Sequence, residues 1–329
     1  MASLEKIPSD AIRVLPRNLR KISSEIFRKL GLPDSDAQQI SSYLVQVDLR
    51  GVVSHGTRQI HRYSKEYRTN SLNPTPLISL IQETPVTAIF DGDGGIGYLV
   101  ASRATETVIQ KAKAHGIAAV STENHGHVGS EGIYARMALP HDLVTLSVAG
   151  SANWQAPTEK NSTIWDAMHS PPICFAIPSD KGPPFVLDMA ANMFRQPDQL
   201  ELAMEKFPEA IIKSLGLKFL STLLGGILTS EPSPNKFRTI FPAASRGFFI
   251  IAFRIDHFGE PNHFKEEVSR IISESLNLKP ILGQATTEVP GSREWKREQD
   301  WSKEGIPISK EHRKLLEEIA FDLEVDITW

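Results

Sequence analysis

The feature that most constrains this chain is a change of hydrophobic period near Pro76. Before it, apolar residues recur at helical spacing: Ile40, Tyr43, Leu44 and Val47 fall at i, i+3, i+4 and i+7, behind Asp34, Ser35 and Asp36 as caps. An earlier helix spans about Leu19 to Leu30 and closes at Gly31 and Pro33. Ser54 is placed to cap a third helix through about Tyr67, so this first part reads as all-helical. After Pro76 strands and helices alternate: Pro85 to Phe90 and Ile117 to Thr122 read as strands around a helix from Tyr98 to His115. More strands are expected at Leu143–Val148, Ile173–Ile177, Phe185–Leu187 and Gly247–Ile255, with a helix from about Gln199 into Gly225 interrupted near Pro208. Two amphipathic helices follow, one using Phe264, Val268, Ile271 and Ile272, the other capped by Ser309 and using Leu315, Leu316, Ile319 and Leu323. Between them Thr286 to Ile308, rich in Gly, Arg and Trp, reads as an ordered, irregular loop. The alternation indicates an α/β fold, and 329 residues with 40% hydrophobic side chains can bury a large core.

Bulk properties exclude several classes of function. A net charge of −3, with Lys and Arg scattered along the chain, gives no electrostatic footprint for nucleic acid. Met1 to Arg13 lacks the apolar stretch of a secretory signal. The most apolar windows, Phe219–Thr229 and Gly247–Phe253, are shorter than the roughly 20 residues of a membrane helix, so no span is expected. Cys174 is the one cysteine, which excludes an internal disulfide and a cysteine-based zinc site and favours a cytoplasmic location. Within the run Ile173 to Ile177 it reads as a small buried thiol.

The residues Gly92-Asp93-Gly94-Gly95-Ile96-Gly97 match G-x-G-x-x-G between a strand and a helix, the setting of a dinucleotide fingerprint. The acid that would hold a ribose is Glu123, but a crowded segment, Asn124-His125-Gly126-His127, follows it directly. The loop therefore reads as a turn whose glycines serve tight turning alone. Of ten histidines, His55 and His127 stand out, each beside small residues and polar partners, a setting for a general acid or base. On a helix from Ser54, the residues His55, Arg58 or Gln59, and Arg62 or Tyr63 share one side. A competing reading takes His125 and His127, spaced i and i+2, with Asp188 as the ligands of a metal-dependent hydrolase.

Taken in order, several segments resemble one family. They are Asp48-Leu49-Arg50-Gly51-Val52-Val53-Ser54-His55-Gly56, Asp91 to Gly97, His127-Val128-Gly129 through Tyr134, Ile173 to Pro178, Pro183 to Ala190, Lys213 to Gly226, and Pro290-Gly291. Through most of its length the chain is similar to the NAD(P)-dependent malate and L-lactate dehydrogenases whose fold is not of the Rossmann type. That family includes ureidoglycolate and L-sulfolactate dehydrogenases and cyclic-imine carboxylate reductases. The resemblance implies an L-sulfolactate dehydrogenase-like architecture: a helical part over residues 1–75, completed by helices in about 262–329, and a central mixed-sheet cofactor domain over 76–261. It implies hydride exchange between NAD or NADP and a small 2-hydroxy or 2-oxo acid, or a cyclic imine acid, in a homodimer. His127 matches the acid/base histidine, while Ser54, His55 and Tyr63 match the substrate wall. Ser151, Asp188, Met189, Ala190, Pro290 and Gly291 match positions near the cofactor.

The chain departs from the family pattern at informative places. Where an arginine usually forks onto the substrate carboxylate there is Gln59, leaving Arg58 or Arg62 to substitute. Pro157-Thr158-Glu159-Lys160, Pro171-Pro172, Ala191-Asn192 and Ser214 replace residues typical of the cofactor side. A relative that keeps the fold and has lost its chemistry is therefore a second hypothesis.

Overall fold

In the computed structural model, which describes residues 7–168, 170–192, 197–229 and 240–329, the early apolar stripes form α1 (Pro16–Lys29) and α2 (Asp34–Leu49). Pro16 starts α1, where a missing N–H costs nothing, and Leu19, Ile22, Ile26 and Phe27 form its buried face. The helix expected from Ser54 starts later. Two 3₁₀ turns, Val53–His55 and Thr57–Gln59, precede α3 (Ile60–Arg68). The cause is Asp48, whose Oδ2 accepts hydrogen bonds from the Thr57 backbone N–H and hydroxyl and pins the chain in a turn.

The first part is also not wholly helical, because β1 (Ile12–Val14) pairs antiparallel with β9 (Ile306–Ile308). Thr286 to Ile308 is correspondingly more regular than expected, containing α9 (Ser292–Glu304) as well as β9. In α9 only Ser292 and Trp301 are buried, so no apolar stripe announces it.

Seven strands form the main sheet: β2 (Ser79–Glu83), β3 (Thr87–Asp91), β4 (Ile117–His125), β5 (Leu143–Ser151), β6 (Pro172–Ile177), β7 (Phe185–Ala190) and β8 (Arg246–Arg254), in the order β2-β3-β4-β8-β5-β6-β7. Only β3 and β4 run parallel, joined through α4 (Gly97–His115); the other neighbours are antiparallel. The unexpected strand, β2, is exposed along its whole length and so shows no inside–outside alternation.

The two faces of the sheet are covered differently. On β8, Phe248, Ile250 and Ala252 point into the core shared with Ala101, Ala104 and Val108 of α4. The short helix α5 (Gly132–Met137) joins this side, where Thr145 of β5 donates its hydroxyl to the Ala135 carbonyl. On the opposite face, α6 (Pro197–Lys206) and α7 (Pro208–Thr222) lead into a π turn, Leu223–Ile227. A Cβ at Gly225 would lie 2.5 Å from the Ala149 carbonyl carbon, and one at Gly247 2.5 Å from the Gly225 oxygen, so this turn rests directly on the sheet. Of the two windows judged too short for a membrane helix, Gly247–Phe253 lies in strand β8, but Phe219–Thr229 belongs to a longer element: Pro208–Ile227 is one continuous helix of 20 residues, apolar and long enough to span by length and composition. Its contacts are those of a helix packed on a sheet.

The last helices, α8 (Pro261–Leu276) and α10 (Lys310–Asp322), form where expected; the α10 stripe is buried at Leu316 and Ile319, whereas α8 buries only Ile272 and leaves Phe264 and Ile271 exposed, and Ser309 caps α10 by accepting from the His312 N–H. One continuous core joins Val14, the faces of α1 and α2, α4, the sheet, and Leu316 and Ile319 of α10. Early and late segments thus bury their apolar surface together.

Candidate active site

The site begins where β4 ends. His127 follows that strand by two residues, and its Nδ1 lies 2.7 Å from the Tyr63 hydroxyl of α3. Tyr63 is fully buried, and its Oη lies 3.2 Å from that of Tyr98 on α4. Burial pushes the Tyr63 phenol above its usual range, so it stays a neutral hydrogen-bonding group. His127 is half-buried; its imidazole is held well below the ordinary 6.5, first by burial and then by the charges of Arg246, His55 and Arg62. It is therefore a neutral base at pH 7.

The 3₁₀ turn brings the second histidine to the first, with ring centres of His55 and His127 5.7 Å apart. Ser54 Oγ lies 2.9 Å from His55 Nδ1 and fixes that ring. Ser54, His55, Tyr63 and His127 are thus brought together. The neighbouring cations, Arg58 of the second 3₁₀ turn and Arg62 of α3, are not. Arg58 donates to Glu311 of α10 at 2.6 Å, and Arg62 to Glu66 at 2.8 Å, although the Arg62 charge reaches His127 and Tyr63. Gln59 donates its amide N–H to the Ser54 carbonyl at 2.6 Å, which braces the turn and engages that donor within the fold. The expected single helical side carrying imidazole, guanidinium and phenol is therefore replaced by a 3₁₀ turn set against α3.

His125 does not join His127 as a ligand. It is fully buried, with Nδ1 2.8 Å from the Gly126 oxygen and Nε2 2.7 Å from the Thr122 hydroxyl. Burial lowers its pKa to about 4. With both nitrogens used inside the fold, it cannot ligate a metal, and among the described residues no group of three metal-ligating side chains exists. The glycine loop is also internally committed: Gly92 N donates to Glu123 O, Gly94 N to Asn124 O, Gly95 N to Gly92 O, and Gly97 N to His127 O. The four glycine amides are thus committed within the fold and not presented to a pyrophosphate. The glycines do more than turn the chain, however. A Cβ at Gly97 would lie 2.6 Å from the Gly126 oxygen and 2.8 Å from His125 Nδ1, so their absent side chains make room for the histidine segment.

The residues expected near a cofactor occupy the neighbouring strand ends. Asp188 on β7 uses Oδ2 to accept from Ser130 Oγ at 2.5 Å and from Gly132 N at 2.9 Å, tying the His127 loop to the sheet. Its Oδ1 has no hydrogen-bond partner among the described residues, and the residue is exposed. Met189 and Ala190 continue the strand half-buried. The Pro290 carbonyl accepts from Val186 N, and a Cβ at Gly291 would lie 2.9 Å from that nitrogen, which docks this loop on β7. Ser147, Cys174 and Asp188 are cross-strand partners on one face, and Ser151, four residues beyond Ser147, shares it. Cys174 is buried, as expected, and burial pushes its thiol up.

Three contributors escaped the sequence reading: Asp48, Tyr98 and Arg246. Arg246 opens β8 directly opposite Ser151 of β5 and His125 of β4, and its charge reaches His127 and Tyr63. Its one sequence signal is a cation at the head of the apolar run Gly247 to Phe253.

Comparison with known proteins identifies the family and the fold. The profile of the family described as malate/L-lactate dehydrogenase matches residues 14–203 and 192–317. The L-sulfolactate dehydrogenase of Methanocaldococcus jannaschii is 28% identical, over 95% of this chain and 97% of that protein. The malate dehydrogenase of Pyrococcus abyssi is also 28% identical, over 95% of this chain and 96% of its own length. The solved malate dehydrogenase of Pyrococcus horikoshii superposes with a TM-score of 0.83 at 29% identity, covering 100% of both chains. The chain belongs to the malate/L-lactate dehydrogenase family and has the mixed α/β fold of its sulfolactate and malate dehydrogenases.

Proposed function

We propose that this protein is an NAD(P)-dependent dehydrogenase that exchanges a hydride between nicotinamide and a small 2-hydroxy or 2-oxo acid, or a cyclic imine acid. The observation that carries the reading is the 2.7 Å contact between Tyr63 Oη and His127 Nδ1, beside the Ser54–His55 turn. With Nδ1–H donated to Tyr63, and the Tyr63 proton directed to Tyr98, the lone pair of His127 remains on Nε2. Nε2 then takes the substrate hydroxyl proton in oxidation and returns it to the carbonyl oxygen in reduction. Burial of the ring favours the neutral base that oxidation requires. His55, braced by Ser54, orients the same substrate oxygen.

The residues present fit a dinucleotide at two points. Asp188 Oδ1 and Ser151 Oγ, on one face of the sheet, have no hydrogen-bond partners among the described residues. They would hold NAD or NADP, with Met189, Ala190, Pro290 and Gly291 alongside. When bound, the nicotinamide supplies the hydride acceptor or donor. The relatives named above as malate and L-sulfolactate dehydrogenases support the hydroxy-acid substrate class.

The reading includes a homodimer. It is supported by exposed apolar side chains along α6 and α7, among them Leu202, Met204, Phe207 and Ile212, which a second copy would cover. Fluorescence titration with NADH and NADPH, followed by a panel of 2-oxo acids and cyclic imine acids with each, tests the function. Binding of neither cofactor would refute it, and turnover abolished by His127→Ala would reject the alternative of a relative without chemistry.

A further inference from the structure

We infer that Arg246 is the cation that receives the substrate carboxylate, the task Gln59 does not perform. The inference rests on the dehydrogenase reading for the identity of the acid, and on the fold for the place of the residue. A 2-oxo or 2-hydroxy acid needs a charged donor beside the group that handles its oxygen, and a planar guanidinium meets a carboxylate with two parallel N–H···O bonds. On the 3₁₀ turn and α3 each candidate is engaged elsewhere: Gln59 with the Ser54 carbonyl, Arg58 with Glu311 and Arg62 with Glu66.

Arg246 differs from all three. Its side chain makes no hydrogen bond or ion pair among the described residues, although it is half-buried and its desolvation carries a cost. Its direction follows from register. Gly247 faces the π turn, so Arg246 and Phe248 face the other way, toward α5 and the tyrosine layer. On that side the Phe248 ring lies 5.0 Å from Tyr134, whose hydroxyl donates to the Val128 carbonyl at 2.6 Å, one residue from His127. Across the sheet, Arg246 pairs with Ser151, one of the two residues assigned above to the dinucleotide. Arg246 thus stands between the proton-transfer histidine and the strand end assigned to the dinucleotide. The groups that face His127 are His55 from the 3₁₀ turn, Arg62 and Tyr63 from α3, His125 from β4 and Arg246 from β8. A carboxylate on Arg246 offsets the charge that most opposes protonation of His127, so arrival of the acid raises the proton affinity of the base that serves it.

Oxalate, a carboxylate isostere of a 2-oxo acid, and uncharged oxamide are the probes, titrated by calorimetry into the full chain without cofactor. Wild type is expected to bind oxalate, and Arg246→Gln to weaken it by about 10- to 100-fold while leaving oxamide unchanged. Arg246→Lys, which keeps the charge and loses the fork, is expected to fall between them; it decides the matter should the Gln variant fail to fold. With an acid that turns over, the Gln variant raises KM by a similar factor and moves kcat less. Oxalate binding that is absent in wild type, equal in both proteins, or lost together with oxamide overturns the inference. Oxalate bound through Arg246 by a protein that binds no nicotinamide would leave the anchor standing and remove the dehydrogenase reading instead.

Discussion

Asp48, near the end of α2, accepts both the backbone N–H of Thr57 at 2.9 Å and its hydroxyl at 2.6 Å, and so sets the turn that presents Ser54 and His55. A Cβ at Gly56 would lie 1.8 Å from Asp48 Oδ1, so glycine is required for this approach. Burial pushes the Asp48 carboxyl up to about 7 from 3.8, against the opposing hydrogen bonds from Thr57. Because the folded value is the higher one, its contribution to stability is complete below pH 3.8 and is lost as pH rises through about 7, a change of roughly 4 kcal/mol. Asp48→Asn keeps an acceptor oxygen and cannot ionise. Urea unfolding at pH 4 and pH 8 should show the variant gaining stability relative to wild type at the higher pH; parallel curves would count against this role. Asp48→Ala should slow turnover by about 10- to 100-fold through displacement of His55.

The pH dependence of oxidation follows from His127. Its pKa lies below 6.5, so kcat/KM for a hydroxy acid should be flat near pH 7 and fall on the acid side, where the base becomes protonated. Arg246 is the largest charged contributor to that depression, and Arg246→Gln should move the acid limb to higher pH. A limb that stays in place or moves to lower pH would contradict the electrostatic assignment.

Gly97 tests the close packing under the histidine segment. Gly97→Ala places a methyl 2.6 Å from the Gly126 oxygen and 2.7 Å from Val128 Cγ1, and should destabilise the protein by about 1–3 kcal/mol. Thermal unfolding measures this. Dinucleotide affinity should change little, since the glycine amides of the loop are already bonded within the fold; its selective loss with unchanged stability would return the loop to a phosphate-binding role.

Chelation separates the two uses of the histidines. Because both ring nitrogens of His125 are engaged by Thr122 and Gly126, turnover should survive EDTA dialysis undiminished. Loss of activity restored by a divalent metal would contradict this.

Strongly periodic elements were legible in the sequence. The stripes of α1, α2 and α10 and the apolar strands β4, β5 and β8 state their burial directly, whereas the stripe of α8 marks the helix but buries only Ile272. What escaped was structure made by distant partners. β1 exists because β9 pairs with it nearly three hundred residues away, and β2 is exposed throughout. The turn at Ser54 looked helical because its cause, Asp48, acts from the preceding helix. The site shows the same division. His127 and His55 carry local signatures, whereas Arg246 owes its place to its cross-strand neighbours Ser151 and His125, a relationship no local pattern contains.

The central claim is that His127 moves the proton while nicotinamide exchanges the hydride. Its most direct test is stopped-flow oxidation of bound NADH or NADPH by a 2-oxo acid, in wild type and in His127→Gln. The account predicts similar cofactor affinity in both proteins and a chemical step slowed by about 10²- to 10⁴-fold in the variant. Equal rates in the two proteins would contradict it.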